Sequence, residues 1–259
     1  MKILLIVDET PFFHPKFVND LVESLKKDNH EINVGLVKKI GKKNSIYKYL
    51  VSNFTKLNLS EIILLGLKRV IYFISNFFLP KGFKNRFFSV RSVLKKKNIK
   101  YFLIEKNINQ TKYYDVIKKL DVDLIISSNS LYFGETILKL PKKGCINRHT
   151  SLLPSYGGVW PVLQCIANNE SYTGVTIHQM TNILDEGKIL SQKVISLENN
   201  RNLNDIYKIA FRESPNLIIE AINNLANGKF IENNYKKSYY SFPNDMDWSK
   251  FRKNGGKFI

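Results

Sequence analysis

Asn147 and His149 stand two apart in Ile146-Asn147-Arg148-His149-Thr150-Ser151-Leu152-Leu153-Pro154, at the end of a short apolar run. If that run is a strand, alternate side chains share a face, so the amide and the imidazole point at the same space. Further along come Thr173-Gly174-Val175-Thr176-Ile177-His178 and then Leu184-Asp185-Glu186-Gly187, where Asp185 can swing back to join them. An amide N–H can donate to an oxygen gaining negative charge without changing its own charge. An imidazole, with an ordinary pKa near 6.5, can give or take protons near neutrality. A carboxylate beside it can fix the ring and collect a proton, directly or through water. Asparagine and histidine at a strand end also commonly bond loop backbone, so the reading rests on the whole set. His14 and His30 have no partner motif. Ser151 could be imagined as a nucleophile, but no glycine elbow surrounds it, which excludes a serine hydrolase of that type.

The spaced set resembles the folate-dependent formyltransferases, which share an Asn-x-His…Asp triad, a Ser-Leu-Leu-Pro turn and a Thr-Gly-Val-Thr-Ile-His strand. The resemblance covers roughly Asp123 to Leu197. It implies Asn147 as oxyanion donor, His149 as general acid/base or electrostatic partner, and Asp185 as orienter and proton acceptor. It places Ser151 in a structural turn and puts Thr176 and His178 behind the triad. The implied donor is 10-formyltetrahydrofolate, its pterin held largely by main chain. Two stretches correspond: Ser128-Asn129-Ser130-Leu131-Tyr132, and Asn182-Ile183-Leu184 before Asp185. Alternating backbone N–H and C=O groups suit a pterin edge. A plain strand-to-helix loop is the alternative for the first stretch. No metal site is expected.

Stepping outward, the elements that must position these residues alternate. Strands are predicted at Lys2–Val7, Ile32–Val37, Lys100–Ile104, Asp123–Ser127, Gly144–Arg148, Val175–Gln179 and Ile189–Ser196. Helices are predicted at His14–Lys27, Ser89–Lys97, Lys112–Lys119, Leu131–Leu138, Trp160–Ala167 and Leu203–Ala226, the last stopped by Gly228. This order implies an α/β, Rossmann-like domain with a mostly parallel sheet. The expected catalytic domain is 1–228, with a helical insertion at about 46–88, and 229–259 forms a short C-terminal arm or appendage.

The insertion reads as two helices and carries Lys68-Arg69 inside the apolar run Ile62–Ile74. A charged pair at bilayer centre costs about 2.5–3.5 kcal/mol per residue, which argues against a membrane span. A buried or dimer-forming helix, a helix lying on a membrane surface, and a lid are the remaining readings.

Composition sets the outer bounds. At 259 residues, 44% hydrophobic and 12% aromatic, the chain can bury a core and is not globally disordered. Cys145 and Cys165 lack metal-site spacing, and the N-terminal apolar run reads as a strand, not a signal; the expectation is a cytoplasmic protein with reduced thiols. The net charge of +18 includes runs at Lys38-Lys39, Lys42-Lys43, Lys95–Lys97 and Lys236-Lys237. These read as solvated surface, without a nucleic-acid module.

For the acceptor, the resemblance leaves several classes. Methionyl-tRNA formyltransferases carry a further barrel and an arginine-rich stretch after Leu-Leu-Pro, where this chain reads Ser155-Tyr156-Gly157-Gly158-Val159-Trp160-Pro161. Amino-sugar N-formyltransferases fit better, their substrates usually nucleotide-linked and destined for surface glycans. Tyr156 and Trp160 could then stack on a sugar or base, and cationic side chains could meet a diphosphate. A lipid-linked amino sugar, a methionyl-tRNA substrate and hydrolysis of 10-formyltetrahydrofolate remain alternatives.

Overall fold

The computed structural model describes residues 1–38, 56–84, 86–105 and 107–259. Nine strands are described: β1 (Lys2–Asp8), β2 (Glu31–Val37), β3 (Tyr101–Ile104), β4 (Leu124–Ser128), β5 (Cys145–His149), β6 (Gly157–Gly158), β7 (Tyr172–Gln179), β8 (Ile189–Ser196) and β9 (Tyr239–Tyr240). Between them lie α1 (His14–Lys27), α2 (Leu59–Phe78), α3 (Val90–Lys97), α4 (Thr111–Leu120), α5 (Glu135–Leu138), α6 (Pro161–Ala167), α7 (Leu203–Ala226) and α8 (Asp245–Lys253). Seven strands form one sheet in the order β3-β2-β1-β4-β5-β7-β8, in which β7 alone runs against its neighbours. The fold is an α/β, Rossmann-like sheet with helices on both faces.

Strand β1 shows why. Its residues Ile3, Leu5 and Val7 enter a core shared with α1, α3, α6 and α7. Leu4 and Ile6 enter a second core with Tyr113 and Ile117 of α4. A strand buried on both faces reads as a continuous apolar run, which is how Lys2–Val7 looks in the sequence. The order reverses between β1 and β4, and the carboxyl ends of these strands with β5 define the crevice where such sheets bind ligands.

Several boundaries differ from expectation. The helix predicted over Leu131–Leu138 begins only at Glu135, because Asn129 Oδ1 accepts the Leu131 N–H at 2.8 Å and turns the chain. Gly134 then supplies the cap, its N–H held by Asn109 Oδ1 at 2.6 Å. Trp160 is not helical but precedes α6 in the left-handed region (φ +57°). In the expected insertion, residues 46–55 lie outside the described residues and one helix, α2, follows. After α7 the chain is not simply extended: it adds β9, parallel to β6, and helix α8, which buries Trp248 and Phe251 against the body.

Two carboxylates fasten the insertion. Glu9, just past β1, accepts the Val90 and Arg91 N–H groups at 3.0 and 3.1 Å, capping α3. Glu61, 4% exposed, closes a capping box on Asn58 N–H at 2.9 Å, accepts the Phe258 N–H at 2.7 Å, and pairs with Arg252 at 2.8 Å. Burial raises the Glu61 pKa, but Arg252 and the two N–H groups outweigh it, and the net shift is downward. Helix α2 is thereby tied to the C-terminal segment.

Candidate active site

A cavity of ≈ 1690 Å³ runs along the carboxyl edge of the sheet. Asn147 and His149 lie on its wall, as does Asp185, although that residue is far along the chain. The pairing of β5 with the reversed β7 sets His178 directly opposite Asn147 and Thr176 opposite His149.

Hydrogen bonds assign the protons. His178 Nδ1 lies 2.9 Å from Gln179 O, and a carbonyl can only accept, so Nδ1 carries the hydrogen. Its Nε2 lone pair therefore accepts from Asn147 Nδ2 at 3.3 Å. Burial pushes His178 down to about 4, with His149 adding to this and Asp185 opposing it, which keeps the ring neutral. His149 Nε2 donates to Tyr156 O at 2.9 Å, leaving Nδ1 turned toward Asp185 Oδ1 at 3.6 Å. The same Oδ1 is 3.6 Å from His178 Nε2. His149 Nδ1 and Asp185 Oδ1 thus face each other as acceptors, and a proton arriving on Nδ1 would join them.

Asp185 is held from its other side. Its Oδ2 accepts the Gly158 N–H at 2.8 Å, and its backbone is left-handed, φ +56°. Gly158 itself has φ +94°, and a Cβ there would sit 2.0 Å from Tyr240 O. Gly187 is equally constrained, since a Cβ would lie 1.7 Å from Gln179 O where the Asp185 loop returns beside β7. The turn after the histidine is internally bonded: Ser151 Oγ donates to Ser155 O at 2.8 Å, so its hydroxyl is occupied. Thr176 Oγ1 donates to Ser151 O at 2.7 Å and accepts from Leu153 N–H and Gln192, pinning that turn to β7.

The cavity has two lobes on either side of Asn147 and His149. One is walled by Ser128, Asn129, Ser130, Leu131 and Tyr132, facing Ile183 and Leu184 with Met180 behind. Asn129 is spent on structure, its amide donating to Ile6 O and Ser127 Oγ. Asn109, which sequence reasoning passed over, holds the same loop by donating to Tyr132 O at 3.0 Å. Asn182 is exposed and does not line the wall, because the loop folds on Thr181 instead: Thr181 Oγ1 donates to Ile183 O and accepts its N–H. Asp8, at the end of β1, also faces this space; burial pushes it up to about 7, against the Ser130 N–H that lowers it.

The other lobe lies between α1, α2, α7 and the C-terminus, with Phe13, Trp160, Phe211 and Phe258 on its walls. Tyr156 is not among them. Its ring stacks on Tyr240 at 5.1 Å and its hydroxyl donates to Glu170 at 2.6 Å, so the expected sugar contact is replaced by core packing. Trp160 does line the cavity while packing on Trp248 and Phe258.

Arg148 is the residue that sequence reasoning left unread. Being the odd residue of the Asn-Arg-His run, it points to the opposite face of the sheet, into this second lobe. It is 9% exposed, lies 3.7 Å over the Phe211 ring, and donates from Nε to Ser214 Oγ at 2.7 Å. Its Nη2 has no partner among the described residues, and no carboxylate accompanies it. Burial pulls its pKa down to about 10. Its neighbour His14 is pushed down to about 3, by burial first and then by the Arg148 charge, while Ser128 O favours its protonation; Thr10 Oγ1 is 2.6 Å from its Nδ1.

A family model described as formyl transferase matches residues 72–222, more than half of the chain. The chain belongs to the folate-dependent formyltransferase family. Over 177 residues it is 35% identical to the bifunctional polymyxin resistance protein ArnA of Wigglesworthia glossinidia brevipalpis, covering 63% of this chain and 27% of that one. Over 165 residues it is 30% identical to the methionyl-tRNA formyltransferase of Caldicellulosiruptor saccharolyticus, covering 60% and 53%. The chain thus spans between about a quarter and a half of these relatives' lengths. In structure it is similar to an N-formyltransferase from Helicobacter canadensis solved with folinic acid and dTDP-3-aminofucose: TM-score 0.56, 16% identity, 98% of this chain and 80% of that chain. That likeness bears on the fold.

Proposed function

We propose that this enzyme transfers a formyl group from 10-formyltetrahydrofolate to the primary amine of an amino sugar carrying phosphate, most simply a nucleotide-linked one. The observation that carries the reading is that Asn147, His149 and Asp185 share the wall of one cavity with the 128–132 loop and with Phe13, Phe211 and Arg148. The first lobe supports a folate: the 128–132 stretch lines it, with the Leu131 N–H and Tyr132 O already held by Asn129 and Asn109, while Met180, Ile183 and Leu184 offer apolar contact. The bound folate supplies the acyl carbon. Asn147, oriented by His178, donates an amide N–H to the oxygen on which charge develops. His149, through Nδ1, takes the proton that the amine loses as its N–C bond forms, the Asp185 carboxylate beside it stabilises the resulting imidazolium, and that proton is passed on to the folate nitrogen as its C–N bond to the formyl carbon breaks. The Gly158 N–H keeps that carboxylate in place.

The second lobe supports an anionic acceptor. A buried guanidinium whose Nη2 has no partner, and which has no carboxylate beside it among the described residues, supports a phosphate or carboxylate brought in by the ligand. Lys68, whose Nζ donates to Asn204 Oδ1 at 3.4 Å, lines the same lobe. The aromatic walls suit a sugar or base.

The test is tetrahydrofolate release from 10-formyltetrahydrofolate, with nucleotide-linked 3-amino and 4-amino sugars, methionyl-tRNA, or no acceptor. Release that requires an amino sugar, with loss of at least about 100-fold in His149→Ala, is the expected result. Release that requires methionyl-tRNA, or that proceeds with water alone, would replace the proposed acceptor.

A further inference from the structure

We infer that the outer face of α2 docks on an anionic lipid surface. This goes beyond the proposed reaction and holds whichever amine is formylated. In this 20-residue helix, Glu61 alone is fully buried. The inner side, with Ile62, Leu65, Lys68 and Arg69, turns toward the cavity. Of the two mid-helix cations Lys68 is half-buried and Arg69 exposed at the cavity rim, and the outer stripe holds neither. That stripe is Ile63, Leu67, Val70, Ile74, Phe77 and Phe78, spaced at three and four residues and each about half exposed or more; Phe77 and Phe78 are both 72% exposed. At about 1.5 Å per residue it is roughly 24 Å of apolar surface, more than scattered surface hydrophobes require.

The charge in this part of the sequence bears on the occupant. From Ile32 to Ile104 it contains sixteen lysines and arginines and one carboxylate, of which Lys38, Lys56 and Lys97 pair with carboxylates outside that window. That carboxylate, Glu61, is buried and already paired with Arg252. Directly after the helix, Lys81, Lys84 and Arg86 are exposed beside Phe83. A second copy of this chain would bring the same excess of positive charge against the stripe, and like charges oppose such a pairing. A nucleic acid would meet the cations and leave the phenylalanines in water. An anionic bilayer surface satisfies both, taking the apolar stripe to the acyl boundary and the cations to the headgroups. No described helix is long and apolar enough to cross a membrane, in keeping with a helix that lies in the surface.

The experiment is flotation of the full chain with vesicles of phosphatidylcholine alone or mixed with phosphatidylglycerol, with light scattering for mass in solution. The expected result is binding only to the mixed vesicles, weakened by salt. Lys81→Gln/Lys84→Gln/Arg86→Gln should weaken it by roughly fivefold per charge, on the order of a hundredfold together. Ile74→Ser/Phe77→Ser/Phe78→Ser should reduce it at least tenfold, with an unchanged melting temperature showing that the variant folds. Equal binding to both vesicle types would overturn the inference. So would absence of binding, or a dimer in solution that the phenylalanine substitutions dissociate without any vesicle binding.

Discussion

Replacing Arg148 with methionine should separate stability from substrate recognition. The fall in its pKa from 12.5 to about 10, at about 1.4 kcal/mol per unit, corresponds to roughly 3 kcal/mol against the buried charge. Opposing this are the bond to Ser214 Oγ, about 1.5–3 kcal/mol, and the stacking on Phe211, up to about 2 kcal/mol. These nearly cancel. Arg148→Met keeps an unbranched stem beside Phe211, and Ser214 Oγ still donates to Ala210 O at 2.6 Å. Stability should therefore change by no more than about 1–2 kcal/mol, against about 3–5 kcal/mol when one partner of a buried ion pair is removed. Acceptor affinity should respond very differently. Losing a charge-assisted contact of about 1.5–3 kcal/mol raises the acceptor KM by roughly 10- to 100-fold. Urea unfolding and steady-state kinetics with a phosphate-bearing amino sugar measure the two effects, with the folate KM as internal control. A loss of stability beyond about 4 kcal/mol with an unchanged acceptor KM would refute the argument.

Other perturbations act on the supports of the site. Gly158→Ala forces a Cβ against Tyr240 O and an L side chain into φ +94°; it should cost about 1–3 kcal/mol of stability, and turnover should fall by roughly 100-fold as Asp185 shifts. Equal activity in a folded variant would show that this N–H does not matter. Asp8 holds its proton to about pH 7 in the native state, whereas the unfolded carboxyl loses it near 3.8. Native stability therefore falls as pH rises through this window, by up to about 4 kcal/mol above pH 7. Asp8→Asn should be more stable than the parent at pH 8 and little different at pH 4.5 in chemical unfolding, and a difference independent of pH would contradict this. Arg252→Met leaves Glu61 buried with its charge uncompensated and should cost about 3–5 kcal/mol at pH 7. Because the native Glu61 pKa is lowered, that interaction is complete above the ordinary glutamate pKa and is lost as pH falls through the native value; the same unfolding series should show the cost shrinking in acid.

The sequence makes the sheet legible because its strands are buried on both faces, so they stand out as β-branched runs between turns. Asn147, His149 and Asp185 are legible because their spacing is local to two short segments. What was hidden depends on distant contacts. The Tyr156 ring is withdrawn from the cavity by Tyr240, and the need for Gly158 arises from the same strand β9. Helix α8 is mostly polar, with Trp248 and Phe251 as its two buried residues, too few to mark it as amphipathic. Leu131, Tyr132 and Phe133 extend the apolar pattern backwards from α5, but side-chain bonds from Asn109 and Asn129 hold them as loop. Arg148 is concealed by its neighbours: a motif fixes attention on one face of β5, and this residue belongs to the other.

The Glu61–Arg252 clamp has a consequence for recombination. Helix α2 and the chain end meet through one carboxylate that also receives the Phe258 N–H, so neither segment is a self-sufficient module. A chimera that received the insertion without the C-terminal segment would inherit a buried anion with no cation. One that received the C-terminal segment alone would inherit an arginine without its carboxylate, left with the Gly256 carbonyl. The two pieces, 191 residues apart in sequence, can be exchanged between relatives only as a matched set.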